Sequence, residues 1–474
     1  MMRQHHSLLS WVAYLALTVV SALTPGPQAM SENDKTLVVP PTRDAFYIVP
    51  EGVDTVAPGT ILKLRKPPSP LATPQDSNYA EKGYQMLYRT TDEDGSATAT
   101  VTTVLIPKNA DGSKVVSFQS AVHTVTIDCA TSFGFLNASL AYPGLKSIMA
   151  QVQLLFAQAA LSRGWIVLVP DYGGPQAAML KAKLTEQAVL DGIRAAFNSG
   201  LIDDNATVTL WGYSGGGTTT LKAVQAQPSY APELKLAGAA IGSAPMYLRP
   251  LDPTGLLLAN KTPYSGYNPI LILMYAATRP WLQDLVDKNL KPQYRHQFYL
   301  PRHQCTDVNL DVYKNLDILS WFKDTTFLFE VPPPPDDVGA HKIPSQIPIY
   351  WYRASADFLV DFDDTSRRLE DFCDHGATIT QTIETADYVS HRTFGILGAP
   401  DALRWLADRL DGVAPAAGCS NKTIFTRHLD RAFLNLFSNT VQQGLVAALA
   451  ESAADRFNLA VNQLARKLKA YQLT

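Results

Sequence analysis

The sequence predicts an α/β protein built on a mostly parallel, doubly wound sheet, on three grounds. The run Trp165-Ile166-Val167-Leu168-Val169 is apolar on both faces, which suits a strand at the buried centre of a parallel sheet. From residue 147 to residue 241 helix-like and strand-like segments alternate, giving a βαβαβ order after the first helix. Within that series Thr207-Val208-Thr209 leads through Leu210-Trp211-Gly212-Tyr213-Ser214-Gly215-Gly216-Gly217-Thr218 into proline-free 219–225. That order is strand, sharp turn, helix.

At the N-terminus, Arg3, His5 and His6 precede an apolar run over 8–17 and then Val20-Ser21-Ala22, the pattern of a secretory signal over 1–22 cleaved after Ala22. As a membrane anchor the apolar run is too short to span a bilayer comfortably. Residues 23–80 are rich in proline, with Pro40-Pro41, Pro67-Pro68 and Pro70, and read as an extended arm on the surface of the body. Three strand-like runs follow at 84–91, 97–106 and 114–121, separated by the turn signals Asp92-Glu93-Asp94-Gly95 and Asn109-Ala110-Asp111-Gly112. They form an antiparallel edge ahead of the parallel strands. Helices are expected at 147–163 and at 185–198, where Val189, Ile193 and Phe197 recur at i, i+4 and i+8 and Gly200 closes the helix. A further buried strand is expected at 236–241.

The alternation then breaks. Between about 245 and 344 the chain offers helical segments at 269–277 and 281–290 and the run Pro332-Pro333-Pro334-Pro335, with little sign of strands. An insertion here is expected to form a cap over the site, a separate small helical domain being the alternative. Strand pattern resumes at 347–352 and 377–383, and a helix fills 400–410. Beyond Cys419 the chain reads as helical to its end, with Leu445, Leu449, Ala453, Phe457, Ala460, Leu464 and Leu468 on one stripe. The expected division is therefore signal 1–22, arm 23–80, body 81–245 and 345–420, helical cap 246–344, and helical extension 421–474.

Charge is nearly balanced, 40 Lys+Arg against 43 Asp+Glu, without a strong single-sign run, so nucleic acid is not an expected partner. Four cysteines, Cys129, Cys305, Cys373 and Cys419, lie far apart with no C-x-x-C pair, which excludes the usual zinc spacing and leaves no metal site to propose. In an exported chain they suggest two disulfides, with three pairings open. Asn137, Asn205, Asn260 and Asn421 each begin a glycosylation sequon.

Gly212, Ser214 and Gly216 match G-x-S-x-G, in which a serine rides a strained turn between strand and helix. The glycines leave room beside a backbone that Cβ atoms would crowd, and the helix N-terminus offers N–H groups to an anion. A serine hydroxyl is a poor nucleophile at neutral pH, so an imidazole must take its proton and an acid must orient the imidazole. No cofactor is needed. On such sheets the acid and then the histidine follow the serine in the chain. Only His375, His391 and His428 lie beyond the strand at 347. His391 sits in the polar stretch Asp387-Tyr388-Val389-Ser390-His391-Arg392-Thr393 between the last strand and the helix at 400, where a base can hang toward Ser214. His375 precedes its strand, and His428 lies in the tail. Asp357 ends Arg353-Ala354-Ser355-Ala356-Asp357, just past a strand, and is the expected acid, with Asp361 in reserve. Asp363 and Asp364 read as helix-start residues. The oxyanion needs two donors: the Gly215 N–H and a group from the loop at 120–128.

These features together resemble the fungal secretory lipase family over about 44–419. The resemblance is carried by Tyr84-Gln85 through Tyr88-Arg89-Thr90-Thr91, by Ala99-Thr100-Val101-Thr102-Thr103-Val104, by Pro170-Asp171-Tyr172, by the serine turn, and by His391 followed by Gly398-Ala399-Pro400 and Trp405-Leu406. It implies an α/β-hydrolase body with a helical cap, a Ser214-Asp357-His391 triad, and disulfides Cys129 to Cys305 and Cys373 to Cys419. One departure concerns the oxyanion loop. After a Ser-Tyr-Gln-like strand end, here Ser117-Phe118-Gln119, the family carries an acidic pair whose Asp contributes to the oxyanion hole, whereas this chain has Val122-His123. His123 is then the candidate donor, through backbone or ring, with Asp128 as a partial substitute. The expected activity is that of a secreted serine carboxylic-ester hydrolase acting on lipid, with a possible lipid-water interface. A deacetylase of an acylated metabolite such as a trichothecene is the alternative, since relatives of the family include such enzymes. An inactive hydrolase fold used for binding is the reading from another class.

Overall fold

The computed structural model describes residues 38–72, 78–246, 253–331, 347–357, 359–387 and 389–425. The expected signal over 1–22, the proline run at 332–335 and the helical stripe beyond 426 lie outside these residues.

Ten strands form one sheet: β1 (Ile61–Arg65), β2 (Ala80–Thr91), β3 (Ala97–Pro107), β4 (Asp111–Gln119), β5 (Trp165–Pro170), β6 (Thr207–Tyr213), β7 (Leu236–Gly242), β8 (Ile349–Ala354), β9 (Ile379–Glu384) and β10 (Cys419–Ile424). Their order is β1-β2-β3-β5-β4-β6-β7-β8-β9-β10. The pairs β1/β2, β2/β3 and β3/β5 are antiparallel, and every pair beyond β5 is parallel. The parallel part is apolar on both faces for the reason its sequence suggested. Val167 and Val169 of β5 enter the cluster on one side of the sheet and Ile166 and Leu168 that on the other, as Trp211 and Leu210 of β6 do.

Helices cover both faces. On one side lie α1 (Ile148–Leu161), whose first turn is capped by Ser147 Oγ accepting from Ala150 N at 3.1 Å, and a later helix at Ala399–Leu410. On the other side lie α2 (Ala182–Asn198) and α3 (Gly215–Tyr230), joined by a later helix at Phe362–Asp374. Between β7 and β8 the chain forms α4 (Pro253–Ala259), α5 (Tyr267–Ala277), α6 (Pro280–Asn289) and α7 (Thr306–Val312). These helices have their own apolar cluster, including Leu273, Leu282, Phe298, Tyr313 and Phe322, and so hold together as a layer over the sheet ends. After β8 come α8 (Phe362–Asp374), α9 (His391–Leu397) and α10 (Ala399–Leu410).

The run at 114–121, expected in the antiparallel edge, lies as β4 between β5 and β6 and is parallel to both, and two further elements differ from the sequence reading. The N-terminal arm does more than lie on the surface: β1 pairs with β2, and Phe46 and Tyr47 are buried. The twelve-residue β2 would otherwise present an open row of backbone donors and acceptors, which the arm covers. Tyr47 also donates to Ser132 Oγ at 2.8 Å, and Ser132 donates to the buried Asp171 at 2.5 Å, so the arm is latched to the end of β5. Burial pushes the Asp171 carboxyl up to about 7.

The second of these two is β10. Residues Cys419–Ile424 were expected to begin a helix and instead pair in parallel with all six residues of β9. The Cys373–Cys419 bond fixes the start of this strand to the last turn of α8, beside the free edge of β9. The other disulfide is Cys129–Cys305, and both are the bonds the family resemblance implies. Of the four sequons, Asn205 and Asn421 are exposed and Asn137 is half-buried. The Asn260 amide nitrogen, the atom a glycan would take, already donates to Asp317 at 2.7 Å.

Candidate active site

Ser214 sits between β6 and α3 at φ 55° and ψ −127°, a conformation that costs a side-chain-bearing residue about 1–3 kcal/mol. The neighbouring sequence makes it possible. A Cβ on Gly212 would run into the Gly216 carbonyl and Thr220 Oγ1, and one on Gly216 would run into the Gln119 carbonyl. The Ser214 N–H donates to Gly242 O at 2.8 Å, which ties the turn to β7.

The structure brings Ser214, His391 and Asp357 together. Ser214 Oγ lies 2.8 Å from His391 Nε2, and His391 Nδ1 lies 2.6 Å from Asp357 Oδ2. An ionised Asp357 can only accept, so it selects the tautomer with hydrogen on Nδ1 and leaves Nε2 free to take the serine proton. Asp357 follows the end of β8, and its other oxygen accepts from the N–H groups of Leu359 at 3.0 Å and Val360 at 3.3 Å. His391 opens α9 rather than hanging in an irregular loop, because Ser390 supplies the N-cap. Tyr213, inside the serine turn, donates to the His391 carbonyl at 2.7 Å and packs its ring 5.2 Å from the imidazole. Both His391 and Asp357 are buried.

The reserve candidates are otherwise engaged. Asp361 caps α8 by accepting from Asp364 N at 2.9 Å. Exposed His375 ends α8 with Nδ1 2.8 Å from the Asp371 carbonyl. His428 lies outside the described residues.

On the other flank of Ser214, Gly215 N is the first amide of α3 and has no acceptor within the helix. The His123 ring reaches this point, with Nε2 3.5 Å from where a Gly215 Cβ would stand. It packs edge-on against Tyr267 of α5 at 5.9 Å, and its carbonyl accepts from Thr306 Oγ1 of α7. The loop is held from the body side by Gln153 of α1, which donates to Ala121 O at 2.8 Å, and by Tyr172, which donates to Ser120 O at 2.8 Å. Desolvation, and then the charges of His391 and Arg392, push the His123 imidazole down to about 4. It is neutral at pH 7 and can present one ring N–H. Asp128, the suggested substitute, is turned away from the site: Thr42 N and Oγ1 both donate to it at 2.8 Å, which fastens the arm.

The flanks meet in a cavity of about 820 Å³, lined from the body by Phe118, Phe156 and Ile396 and from the helical layer by Leu256, Leu271 and Tyr275. Tyr213 could have been singled out within the serine turn itself. Tyr267, Thr306 and Arg392 also enter the cavity, and only Arg392, next to His391, carried any signal in the sequence. Among the described residues no helix is long and apolar enough to cross a membrane.

The secretory lipase family pattern matches residues 141–418. Lipase A of Arthroderma benhamiae is 35% identical over 428 residues, covering 88% of this chain and 90% of that protein. Lipase 6 of Candida albicans is 32% identical over 409 residues, covering 81% and 84%. The X-ray structure of Candida antarctica lipase A superimposes with a TM-score of 0.71 at 24% identity, over 87% of this chain and 96% of that one, and so speaks to the fold. The rice cell wall degrading esterase LipA from Xanthomonas oryzae superimposes with a TM-score of 0.53 at 16% identity, over 76% and 100%. The chain belongs to the secretory lipase family and is a carboxylic ester hydrolase on an α/β-hydrolase fold.

Proposed function

We propose that the chain is an exported lipase that cleaves lipid esters through Ser214, His391 and Asp357. The observation that carries this reading is the unbroken run Ser214 Oγ, 2.8 Å, His391 Nε2, then Nδ1, 2.6 Å, Asp357 Oδ2, on the wall of a largely apolar cavity. Ser214 attacks the ester carbonyl while His391 takes its proton, and Asp357 steadies the imidazolium that forms. The negative charge on the carbonyl oxygen is met by the Gly215 N–H and by the neutral His123 ring. His391 then protonates the departing alcohol, and water, activated by the same imidazole, releases the acid from the serine.

A cavity of about 820 Å³ is at the large end of the roughly 300–1,000 Å³ typical of small-molecule sites, which supports a long acyl chain over acetyl. Leu257 and Leu258 of α4 and Leu359 beside Asp357 are exposed, and Leu258 and Leu359 line the cavity, which supports contact with a lipid surface. The signal-like 1–22 and two disulfides support export.

Replacing Ser214 by Ala should lower kcat on a nitrophenyl ester by about a millionfold and abolish labelling by a fluorophosphonate. A variant that turned over normally would remove the assignment. Activity of the intact enzyme confined to acetyl esters, and strongest on an acetylated terpenoid alcohol, would replace the lipase reading with metabolite deacetylation.

A further inference from the structure

Arg392 follows the His391 base at the start of α9, and its guanidinium lines the cavity. Ester hydrolysis as described gives it no task. Its contacts among the described residues are few: Nη2 donates to Tyr267 OH at 3.3 Å, and the guanidinium carbon lies 5.6 Å from the Tyr264 ring centroid. The nearby Asp307 makes no ion pair with it, and Oδ2 of that carboxyl accepts instead from Ser147 Oγ and Met149 N, each at 3.1 Å. Burial also pushes the Asp307 carboxyl up, which weakens it as a counter-ion.

Two other arginines, Arg353 and Arg194, are more fully bonded. Arg353 donates to Phe362 O at 2.8 Å and to Ser366 Oγ at 2.7 Å while stacking 3.9 Å over the Phe362 ring. Arg194 is bonded to Asp191, Glu233 and the Tyr230 carbonyl. A guanidinium has five donors in a planar fork suited to a carboxylate, and Arg392 spends one of them on a tyrosine. Arg392 is half-buried and its remaining donors are uncommitted among the described residues, so a ligand group that takes up their hydrogen bonds would be held there.

We propose that Arg392, steadied by the Tyr267 hydroxyl, is a binding subsite for a free carboxylate on the substrate, so that the enzyme favours carboxylic esters that carry an acidic group at a distance from the scissile carbonyl. The inference rests on the serine-hydrolase reading above. Position sets the distance. The Tyr267 ring packs on His123, which borders the proposed oxyanion position, and its hydroxyl meets Arg392, so one tyrosine links the charge to the reacting end of the cavity. The apolar lining between suits a methylene spacer. Charge sets the ligand. Arg392 and the exposed Lys314 are the Lys/Arg cations among the described lining residues, beside Asp307, Asp311, Asp357, Asp361 and Asp364, a balance that tolerates one carboxylate better than a phosphate dianion.

The test is kcat/KM of the full-length enzyme on nitrophenyl esters of ω-carboxy acids of increasing spacer length, each against its methyl-capped neutral analogue. A second arm uses hexanoate esters of ω-hydroxy acids against their methyl-capped forms, and so separates a carboxylate on the acyl part from one on the alcohol part. In the wild type the carboxylate form should be preferred at one spacer length in one arm. Arg392→Met should lower the carboxylate-to-neutral ratio there by roughly tenfold or more, and Arg392→Lys, which keeps charge without the fork, should lie between. Tyr267→Phe should lower the same ratio by a smaller factor. A ratio unchanged in Arg392→Met, or a wild type that discriminates against the carboxylate at every length in both arms, would overturn the inference. The wild-type comparison decides the matter even if Arg392→Met does not fold. Neutral-ester turnover that a fluorophosphonate fails to block would instead remove the serine-hydrolase reading beneath it.

Discussion

On one flank of Ser214, His391 and Asp357 stand just past the ends of the last central strands, and their supports, Tyr213 and the amides of Leu359 and Val360, all belong to the sheet-bearing body. On the other flank, His123 comes from a loop that is gripped by α1 on one side and by Tyr267 and Thr306 of the helical layer on the other. The first flank is fixed by strand register, because β7, β8 and β9 pair in parallel and a slip would turn buried side chains to the wrong face. The second is fixed by contacts between layers, which a single side chain can redraw without disturbing the sheet. The Ser214-His391-Asp357 run thus rests on the rigid flank, and His123 on the adaptable one.

Three measurements on two substitutions sharpen that contrast. The largest effect belongs to the rigid flank: Asp357→Asn should cut kcat by about ten-thousandfold with unaltered thermal unfolding, because an amide can hold the imidazole in the wrong tautomer. A loss below about tenfold would mean that the flank tolerates redrawing after all. Next, His123→Phe should lower kcat by about a hundredfold to a thousandfold with KM little changed, the signature of a lost oxyanion donor. If the loss is only severalfold, the loop donates through its backbone and the ring serves packing.

The smallest effect is on stability. The folded protein holds the His123 imidazole at about 4 against an ordinary 6.5, so between those values the unfolded chain binds the proton that the folded chain refuses. The contribution is full above about 6.5 and is lost as pH falls toward 4. Wild type should therefore lose more of its urea midpoint between about pH 7 and about pH 5 than His123→Phe does. Equal losses would show that the ring is not held neutral by its site.

The same contrast explains what could be read from the sequence. The serine turn, the acid after β8 and the histidine before α10 were legible because glycine spacing and strand order are local signals that a sheet translates directly into position. The edge strands were not. Residues Ile61–Arg65 are bracketed by prolines and Cys419–Ile424 are polar and mostly exposed, and a strand paired on one side needs little apolar alternation. The Tyr267 contact with Arg392 joins residues 125 apart, and nothing in α5 marks a tyrosine as facing a cation. His123 stood out through resemblance alone, and its neutrality is a property of the packed site.

The Cys129–Cys305 bond closes a chain loop with a separation of 176 residues, and both of its ends border the cavity. Cys129 continues the loop of His123, and Cys305 caps the helix whose Thr306 holds that loop. The His123 loop and the helical layer are therefore covalently joined at this corner of the cavity. Any widening for a bulky ester must come from the rest of the rim, where α4 carries Leu257 and Leu258 and where Leu359 stands exposed. The bond thus gives the cavity one fixed corner, beside the His123 loop, and leaves the exposed leucines on the remainder of its rim.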